Sequence, residues 1–414
     1  VLDYYLARGI SQATNSSKRK QLLVISLISN ISVLFAFKYF VFFYNSVGQI
    51  VNPQFSLLHS LIIPAGLSFY TFQSISYTID VYRNKYKATD TLQDFLLFVS
   101  FFPHMVAGPI MRHNDLMPQL KATYKLKNID WESFAKLTIW GFFKKIVIAD
   151  NLSSIVTPVF NDVSHYSGST LLVAGFLFVI QVYADFSGYS DIATGVAKLF
   201  GINLSLNWNR PLLSKSLHEF WSKWHISLTT WFREYLYIGL GGNRNGKIRW
   251  LLNIFIVFFI SGLWHGAAFT VILWGCIHGL FYIIEILVKQ RFPKIKAPAL
   301  IGWIYLITIH TLALTVFRAL SLADVKIIFN HLFFNFNGTL CVSELRQVAD
   351  LFFIVVCLLV CGLLFVKEII EEFNVLQKAS NVKRLVKPVF YILILVSLFV
   401  LGNFNANQFI YFQF

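Results

Sequence analysis

The sequence predicts an all-α protein that crosses a membrane many times. Of its 414 residues, 56% are hydrophobic and only 13% are charged, whereas about a quarter of the residues in soluble domains are charged. The hydrophobic residues also fall in long blocks, and a helix needs about twenty apolar residues to span a bilayer. A helix satisfies every backbone hydrogen bond within such a block. This composition excludes an ordinary cytosolic enzyme and a disordered chain.

The chain is strongly basic, with 35 Lys and Arg against 20 Asp and Glu and a net charge of +15. In a soluble protein this excess would indicate a nucleic-acid partner. Here the basic residues lie mainly between the apolar blocks, and cytoplasmic loops of membrane proteins are enriched in Lys and Arg beside anionic lipid. We therefore expect contact with membrane lipid and none with nucleic acid.

The alternation of basic and neutral loops predicts the order of the crossings. Arg83–Lys87, 198–249 and Lys289–Lys296 are basic and are placed in the cytoplasm, whereas 45–55 and 151–170 lack Lys and Arg and are placed outside. The predicted spans are 21–44, 56–82, 171–183, 250–264, 267–288, 299–320, 351–366 and 389–401. Besides these spans, the sequence predicts a re-entrant element over 95–107, an outward helix over 133–150 and an outer loop with short helices over 321–349. In all we expect roughly nine to eleven membrane elements.

Charged residues interrupt the apolar blocks at two places. Lys144 and Lys145 lie within an apolar run, and we expect their side chains to reach out to the membrane interface. Asp185 and Asp191 enclose a segment of Ser, Gly and Tyr that we expect to break the crossing helix. Carboxylates buried in a membrane mark functional sites, and a helix-capping role suits these two residues equally well.

Residues 214–237 predict an amphipathic helix on the cytoplasmic side. Its apolar side chains recur every three or four residues, and the opposite face carries charged residues such as Glu219 and Lys223. The many tryptophans favour a helix that lies in the plane of the lipid headgroups. His218 and His225, two turns apart, share one face of it.

One histidine lies deep in an apolar span. His265 follows the predicted span 250–264, and a rise of about 1.5 Å per residue lifts it roughly 22 Å above the cytoplasmic surface. Small residues flank it and permit a close backbone approach or a substrate path. A neutral imidazole is cheaper to bury than a fixed charge and accepts a proton near pH 7. From the residues alone, a structural histidine, a catalytic base and, last, a haem or metal ligand remain open.

Other common catalytic motifs are missing from the sequence. Gly239–Gly242 lacks the Lys and Ser or Thr that complete a phosphate-binding loop. No Gly-x-Ser-x-Gly elbow occurs, and no pair of carboxylates has a spacing that suggests glycoside chemistry. The four cysteines have no metal-binding spacing. We expect neither a bound metal nor a bound cofactor.

The segment Glu219–Arg244 resembles the signature of the membrane-bound O-acyltransferase family, in the bacterial branch typified by the alginate O-acetyltransferase membrane subunit. Four further segments agree with the same family, and the agreement runs along the whole chain. They are Phe102–Ile110, Asp185–Ile192, Gly262–Ala267 and Gln408–Phe414. Five motifs in order are far more specific than one histidine.

The resemblance implies a ring of helices around a thin centre, in a single domain over 1–414 that lacks the earlier spans of longer family members. It also implies two functional histidines, which map to His265 in the membrane and His225 on the amphipathic segment. Such proteins take an acyl group, usually acetyl, from a cytoplasmic donor. They pass it to an extracytoplasmic polysaccharide, often through a partner of the SGNH-hydrolase type.

We therefore expect an O-acetyltransferase of the bacterial cytoplasmic (inner) membrane, with acetyl-coenzyme A or another acyl thioester as the donor. His265 would accept or orient the proton of the attacking hydroxyl, and His225 would position the donor or share in proton transfer. Further candidates for substrate or donor binding are Trp264, Ser261, Asn243, Arg244 and Asp185. For Asn243, Arg244 and the nearby Lys247, a basic loop that only sets topology is an equal alternative.

Two other functions remain open at this point. A transporter such as a lipid-carrier flippase would need paired charges within the membrane or inverted repeats, and neither stands out in the sequence. A non-catalytic scaffold for a periplasmic acetyltransferase would not depend on His265. The acceptor is open as well, among alginate, another exopolysaccharide, peptidoglycan and teichoic acid.

Overall fold

A computed structural model describes residues 1–51, 64–294, 297–373 and 380–404. Every regular element within these residues is helical. Six helices there are long and apolar enough to cross a membrane. They are Ser16–Gly48, Gly168–Leu199, Lys247–His265, Phe269–Arg291, Ala299–Arg318 and Leu351–Glu372. The chain is thus an all-α, multi-pass membrane protein, as its composition predicts; the total of nine to eleven elements stays a prediction.

The first half of the chain contains nine α-helices and two π-helical segments among the described residues. The α-helices are α1 Leu2–Gln12, α2 Ser16–Leu34, α3 Phe40–Val51, α4 Leu67–Tyr82, α5 Leu92–Ser100, α6 Phe102–Met105, α7 His113–Lys121, α8 Trp131–Phe142 and α9 Asp150–Asn161. The π-helical segments are Phe35–Tyr39 and Phe143–Ala149, and Leu126–Asn128 is a 3₁₀ turn. The π-helical segments join α2 to α3 and α8 to α9, so each pair forms one longer rod.

The second half of the described chain is dominated by long helices. The α-helices of this half, long and short, are α10 Gly168–Leu199, α11 Leu217–Lys223, α12 Ile226–Trp231, α13 Lys247–His265, α14 Phe269–Arg291, α15 Ala299–Arg318, α16 Leu322–Phe334, α17 Leu340–Val348, α18 Leu351–Glu372 and α19 Ser380–Leu401. A 3₁₀ turn over Pro211–Leu213 precedes α11, and a π-helical segment over Phe232–Tyr237 follows α12. The short helices α16 and α17 confirm the mixed segment expected over 321–349.

Two compact units make up the described chain. The first consists of Val1–Phe134, Ala193–Leu206 and Thr230–Leu240. In its interior, Tyr235 donates from Oη to Asp80 Oδ2 at 2.7 Å. The second unit consists of Ala135–Ile192, Asn207–Thr229 and Gly241–Phe414. The single domain expected over residues 1–414 stays a prediction, because two compact units can belong to one domain.

The second unit contains the antiparallel helix pair α13 and α14. These helices pack closely because glycines face each other where they cross. A Cβ on Gly275 would lie 2.4 Å from the Phe258 carbonyl oxygen and 3.0 Å from Gly262 Cα. Small residues of this kind let two membrane helices approach to backbone contact. The pair carries His265 at its tip.

Segments predicted to lie on the same side of the membrane contact each other in the second unit. From the outer loops, Ser167 donates to Glu344 Oε2 from its backbone N at 3.0 Å and from Oγ at 2.8 Å. From the cytoplasmic segments, Glu372 pairs with Arg210 at 2.7 Å and with Lys223 at 3.2 Å. The order of crossings predicted from loop charge is therefore consistent with the helix packing of this unit.

Two expectations about the course of the helices are wrong. The crossing that begins near Leu171 does not break at Asp185, because α10 continues from Gly168 to Leu199. The predicted single helix over 214–237 is instead divided between α11, α12 and a π-helical segment. Its apolar stripe, including Leu217 and Leu228, is buried against protein and does not lie at a lipid interface.

Parts of some predictions lie outside the described residues. Of the predicted loop 45–55, residues 45–51 continue α3 and the rest is not described. Of the predicted span 56–82, the structure describes α4 and the few residues before it. The segment Gln408–Phe414 lies wholly outside the described residues.

Candidate active site

His265 is the last residue of α13, where the chain turns sharply into α14. Gly266 caps α13 in an extended conformation, and Ala268 precedes the first residue of α14. The turn is short because small residues fill it. His265 therefore lies at the tip of a tight helical hairpin, a position that holds its backbone rigidly.

Aromatic rings surround the His265 imidazole. Its centroid lies 5.0 Å from that of Trp264, 5.1 Å from Trp274 and 6.2 Å from Phe317. All three rings meet it edge-on. The side chain is partly exposed, so a molecule can approach it. An imidazole in an apolar wall with access from outside has the setting that a general base needs.

His225, the second histidine that the resemblance singles out, lies at the break between α11 and α12. Its backbone φ is +42°, in the left-handed region that costs a non-glycine residue energy and that recurs at functional sites. Its side chain is 1% exposed. Burial lowers the pKa of His225 to about 3, so the imidazole is neutral at physiological pH.

Asn207 fixes the orientation of His225. Its Oδ1 lies 3.2 Å from His225 Nδ1 and accepts from Ser227 Oγ at 2.9 Å. Because an amide oxygen only accepts, His225 carries its proton on Nδ1 and its lone pair on Nε2. On its other side Asn207 donates from Nδ2 to Ser190 Oγ at 3.3 Å. A buried polar network of this kind holds the ring in one position.

A continuous series of aromatic rings connects His265 with His225. Consecutive ring centroids along it are between 4.7 and 5.7 Å apart. In order from His265 the rings are Trp274, His278, His310, Trp224 and Trp208. His225 and His265, which are forty residues apart in the sequence, thus belong to one aromatic column within the second unit.

Two members of this column are not among the site residues that the sequence predicts. His278 and His310 are completely buried, and His310 Nδ1 lies 3.3 Å from His278 Nε2. The sequence motifs include neither His278 nor His310. The only signal was a histidine in each of two apolar blocks, which does not reveal that the two side chains meet.

The other predicted site residues are dispersed. Trp264 is 3% exposed and contacts His265, and Ser261, one turn before His265, is 7% exposed. Asn243 lines a surface cleft of about 310 Å³ at the start of α13, together with Lys247 and Gln290. Arg244 is exposed and does not line that cleft.

Asp185 lies inside α10, so the capping role is wrong. Its carboxylate is 3% exposed and pairs with Lys145 Nζ at 3.0 Å, and Lys145 also pairs with Asp150 at 2.7 Å. The neighbouring Lys144 pairs with Asp191 at 2.7 Å and is itself buried. The expectation that both lysines reach out to an interface is therefore wrong, because carboxylates of α9 and α10 neutralise them within the protein.

Residues 89–317 match the model of MBOAT, the membrane-bound O-acyltransferase family. The chain belongs to this family. The match contains both His225 and His265 and the aromatic column between them. The family assignment made from five sequence motifs is thereby confirmed.

Three curated relatives show which named proteins the chain is similar to. The chain is 38% identical over 356 residues to the probable alginate O-acetylase AlgI of Pseudomonas aeruginosa, covering 84% of this chain and 66% of the relative. It is 33% identical to the peptidoglycan O-acetyltransferase of Helicobacter pylori, covering 78% and 66%. It is 29% identical to the teichoic acid D-alanyltransferase of Bacillus subtilis, covering 54% and 58%. The chain thus spans between 58% and 66% of the length of these relatives.

Proposed function

We propose that this protein is a membrane-embedded O-acyltransferase that moves an acetyl group from a cytoplasmic thioester donor to an extracytoplasmic polysaccharide. The observation that carries the proposal is the position of His265, partly exposed at the tip of the α13–α14 hairpin and walled by aromatic rings. The named activities of the relatives, O-acetylation of alginate and of peptidoglycan, support the same reaction class.

In the proposed reaction His265 takes the proton of the acceptor hydroxyl while the hydroxyl oxygen attacks the carbonyl carbon of the thioester. The carbonyl π electrons move onto oxygen and form a tetrahedral oxyanion. As the carbonyl re-forms, the carbon–sulfur bond breaks, and the departing thiolate takes up the proton held by His265. The products are an ester and a free thiol, so protons and electrons balance.

His225 acts in this proposal as a neutral positioning residue. Its fixed Nδ1 proton and Asn207 contact leave Nε2 as the basic nitrogen. The aromatic column between the two histidines is apolar enough to exclude bulk water from the thioester. Dry surroundings strengthen the polar interactions of the reacting groups and limit hydrolysis.

The cytoplasmic end of α13 is the proposed entry for the donor. The cleft of about 310 Å³ there contains Lys247 and Asn243, whose side chains suit the phosphates of a carrier such as coenzyme A. Exposed Arg244 adds positive charge beside the cleft. The donor, the SGNH-hydrolase-type partner, the polysaccharide acceptor and the inner-membrane location are parts of this proposal.

Radiolabelled acetyl-coenzyme A added to proteoliposomes, with alginate as the acceptor and an SGNH-hydrolase-type partner present, tests the proposal. The wild-type protein should release the thiol and label the polymer, and His265→Ala should do so at least about 100-fold more slowly, the usual contribution of a general base. His218→Ala is the control, because His218 is exposed and bonded to Tyr282. Unchanged labelling by His265→Ala would overturn the proposal.

One observation favours a transporter as the second candidate function. The ion pairs of Lys144 and Lys145 with Asp191, Asp150 and Asp185 are the buried charge pairs that a transporter would need. A transporter would move its cargo without thiol release, and His265→Ala would leave that movement intact. The same proteoliposome assay therefore separates the two functions.

A further inference from the structure

Three nitrogen-bearing rings, one of which contacts His265, also contact one another. Ring centroids of Trp221 and Trp274 lie 6.1 Å apart, those of Trp221 and His278 lie 5.1 Å apart, and those of Trp274 and His278 lie 5.3 Å apart. Trp274 also meets His265 edge-on at 5.1 Å. These three residues, called the ring triad below, come from α11 and α14.

Each member of the ring triad has a buried nitrogen without a partner. Among the described residues, neither Nε1 of Trp221, nor Nε1 of Trp274, nor Nδ1 of His278 has a hydrogen-bond partner. Trp274 is 3% exposed and His278 is 0% exposed. Leaving a donor buried and unsatisfied destabilises a fold, and such groups in native proteins call for an explanation such as a bound molecule. Three such nitrogens on rings in mutual contact point to a ligand that the three rings share.

The chemistry of the ring triad specifies the kind of ligand. An indole Nε1–H can only donate, so Trp221 and Trp274 require an acceptor. When His310 donates from Nδ1 to His278 Nε2, across the 3.3 Å that separate them, His278 must carry its own proton on Nδ1. In that arrangement the ring triad offers three donors and no acceptor. The matching ligand is an oxygen that bears negative charge.

We propose that Trp221, Trp274 and His278 form the oxyanion-binding site for the acyl-donor carbonyl, and that His310 positions His278. The proposal rests on the acyl transfer proposed above. As the hydroxyl oxygen bonds to the carbonyl carbon, the carbonyl electron pair becomes an oxyanion, which the three N–H groups bind. When the carbon–sulfur bond breaks, the electron pair returns to the carbonyl and the hydrogen bonds weaken. Donors placed for the charge that develops in the transition state contribute to rate more than to substrate binding.

Trp274→Phe and Trp221→Phe test the ring triad because each variant keeps an aromatic ring and removes one donor. We expect kcat for thiol release from acetyl-coenzyme A to fall about 100- to 1000-fold in each, the usual effect of losing one oxyanion donor, with little change in KM. If the N–H groups play only a structural role, we expect the opposite effects on kcat and on stability. Removing an unsatisfied donor would then leave kcat unchanged and raise the thermal midpoint.

Trp303→Phe is the matched control, because Trp303 Nε1 already donates to the Leu212 carbonyl oxygen at 2.8 Å. This variant should lose stability and retain kcat. A second measurement compares binding of acetyl-coenzyme A with that of S-ethyl-coenzyme A, which lacks the carbonyl oxygen, to His265→Ala protein. Trp274→Phe added to that protein should abolish any preference for the acetyl compound.

The outcomes separate the two proposals. No transfer by the wild-type protein would overturn the proposed function and the ring triad's role with it. In another outcome, the wild type transfers acetyl groups while both tryptophan variants keep a kcat within about threefold of the wild-type value, the scatter expected for neutral changes. That result would overturn the ring triad's role alone. Transfer with the predicted loss, and a normal Trp303→Phe, would support both.

Discussion

Nδ1 of His225 lies 3.2 Å from Oδ1 of Asn207, and this contact holds a neutral imidazole in a strained backbone position. The strain is visible in the φ of +42° at His225, which the surrounding structure must impose. Asn207 does so by bonding the two residues that follow His225: Ile226 N donates to the Asn207 carbonyl at 2.9 Å, and Ser227 Oγ donates to the Asn207 side chain.

Asn207→Ala should therefore impair transfer without touching either histidine. The variant removes the acceptor of His225 Nδ1 and of Ser227 Oγ, and a misplacement of about 1 Å in a catalytic site can cost about 100-fold in rate. The thiol-release assay measures this. Asn209→Ala is the control, since the backbone N of Asn209 bonds to the Lys223 carbonyl and survives the change. Equal rates in the two variants would show that Asn207 is dispensable.

The pKa of His225 predicts a pH dependence of stability. Burial lowers it from 6.5 to about 3, so between these values the unfolded chain binds a proton that the folded protein does not. The free energy of unfolding then falls as the pH falls through this window, by up to about 1.4 kcal/mol per pH unit. Thermal midpoints in detergent at pH 7 and pH 4.5 measure the effect.

His225→Asn isolates the contribution of this residue, because asparagine tolerates the left-handed backbone and does not titrate. The variant should lose less stability than the wild type between the two pH values. Burial also lowers the pKa of His104 and of His113 to about 4. These two histidines contribute equally to the pH dependence of both proteins. A wild type and variant with the same pH dependence would contradict a neutral, buried His225.

The sequence predicts the placement of His265 because that placement is local. Its helix starts at a basic residue and ends at a run of small residues, so length alone brings His265 to the hairpin tip. Loop charge likewise orders the crossings, since each loop is read by itself. Both inferences depend on neighbours in sequence.

Contacts between distant helices could not be predicted in the same way. The Ser-Gly-Tyr segment after Asp185 looks like a helix break, yet a Cβ on Gly188 would lie 2.8 Å from the Gly141 carbonyl, so its glycine serves close helix packing. The Lys145 partner that neutralises Asp185 comes from a separate helical segment. His278 and His310 likewise meet across two helices, and one sequence does not record which faces pair.

Lys145→Met should destabilise the protein strongly. It would leave the buried carboxylates of Asp185 and Asp150, 3% and 7% exposed, without their cation. Removing one partner of a buried ion pair costs about 3–5 kcal/mol. Chemical denaturation in mixed micelles measures the loss, and the double variant Lys145→Met/Asp185→Asn should recover part of it. Lys289→Met is the control: this lysine is 60% exposed, so the variant should lose less than about 1 kcal/mol of unfolding free energy. Equal losses in Lys145→Met and Lys289→Met would contradict a buried network around Lys145.

Gly275→Ala should separate α13 from α14 and disable the site. The new Cβ would lie 2.4 Å from the Phe258 carbonyl oxygen and 3.0 Å from Gly262 Cα, and backbone atoms cannot move aside as a side chain can. The helices must shift apart, and Trp274, one residue before Gly275, would shift relative to His265. We expect the rate of acyl transfer to fall about 100-fold together with the thermal midpoint.

Gly362→Ala in α18 is the matched control for that substitution. No atom lies within 4 Å of a Cβ at this position, so alanine should raise helix stability by up to about 1 kcal/mol and leave transfer unchanged. Both glycines lie inside apolar helices, so the two variants differ mainly in what the added methyl group meets. If Gly275→Ala retained wild-type activity, close contact between α13 and α14 would not be what positions His265.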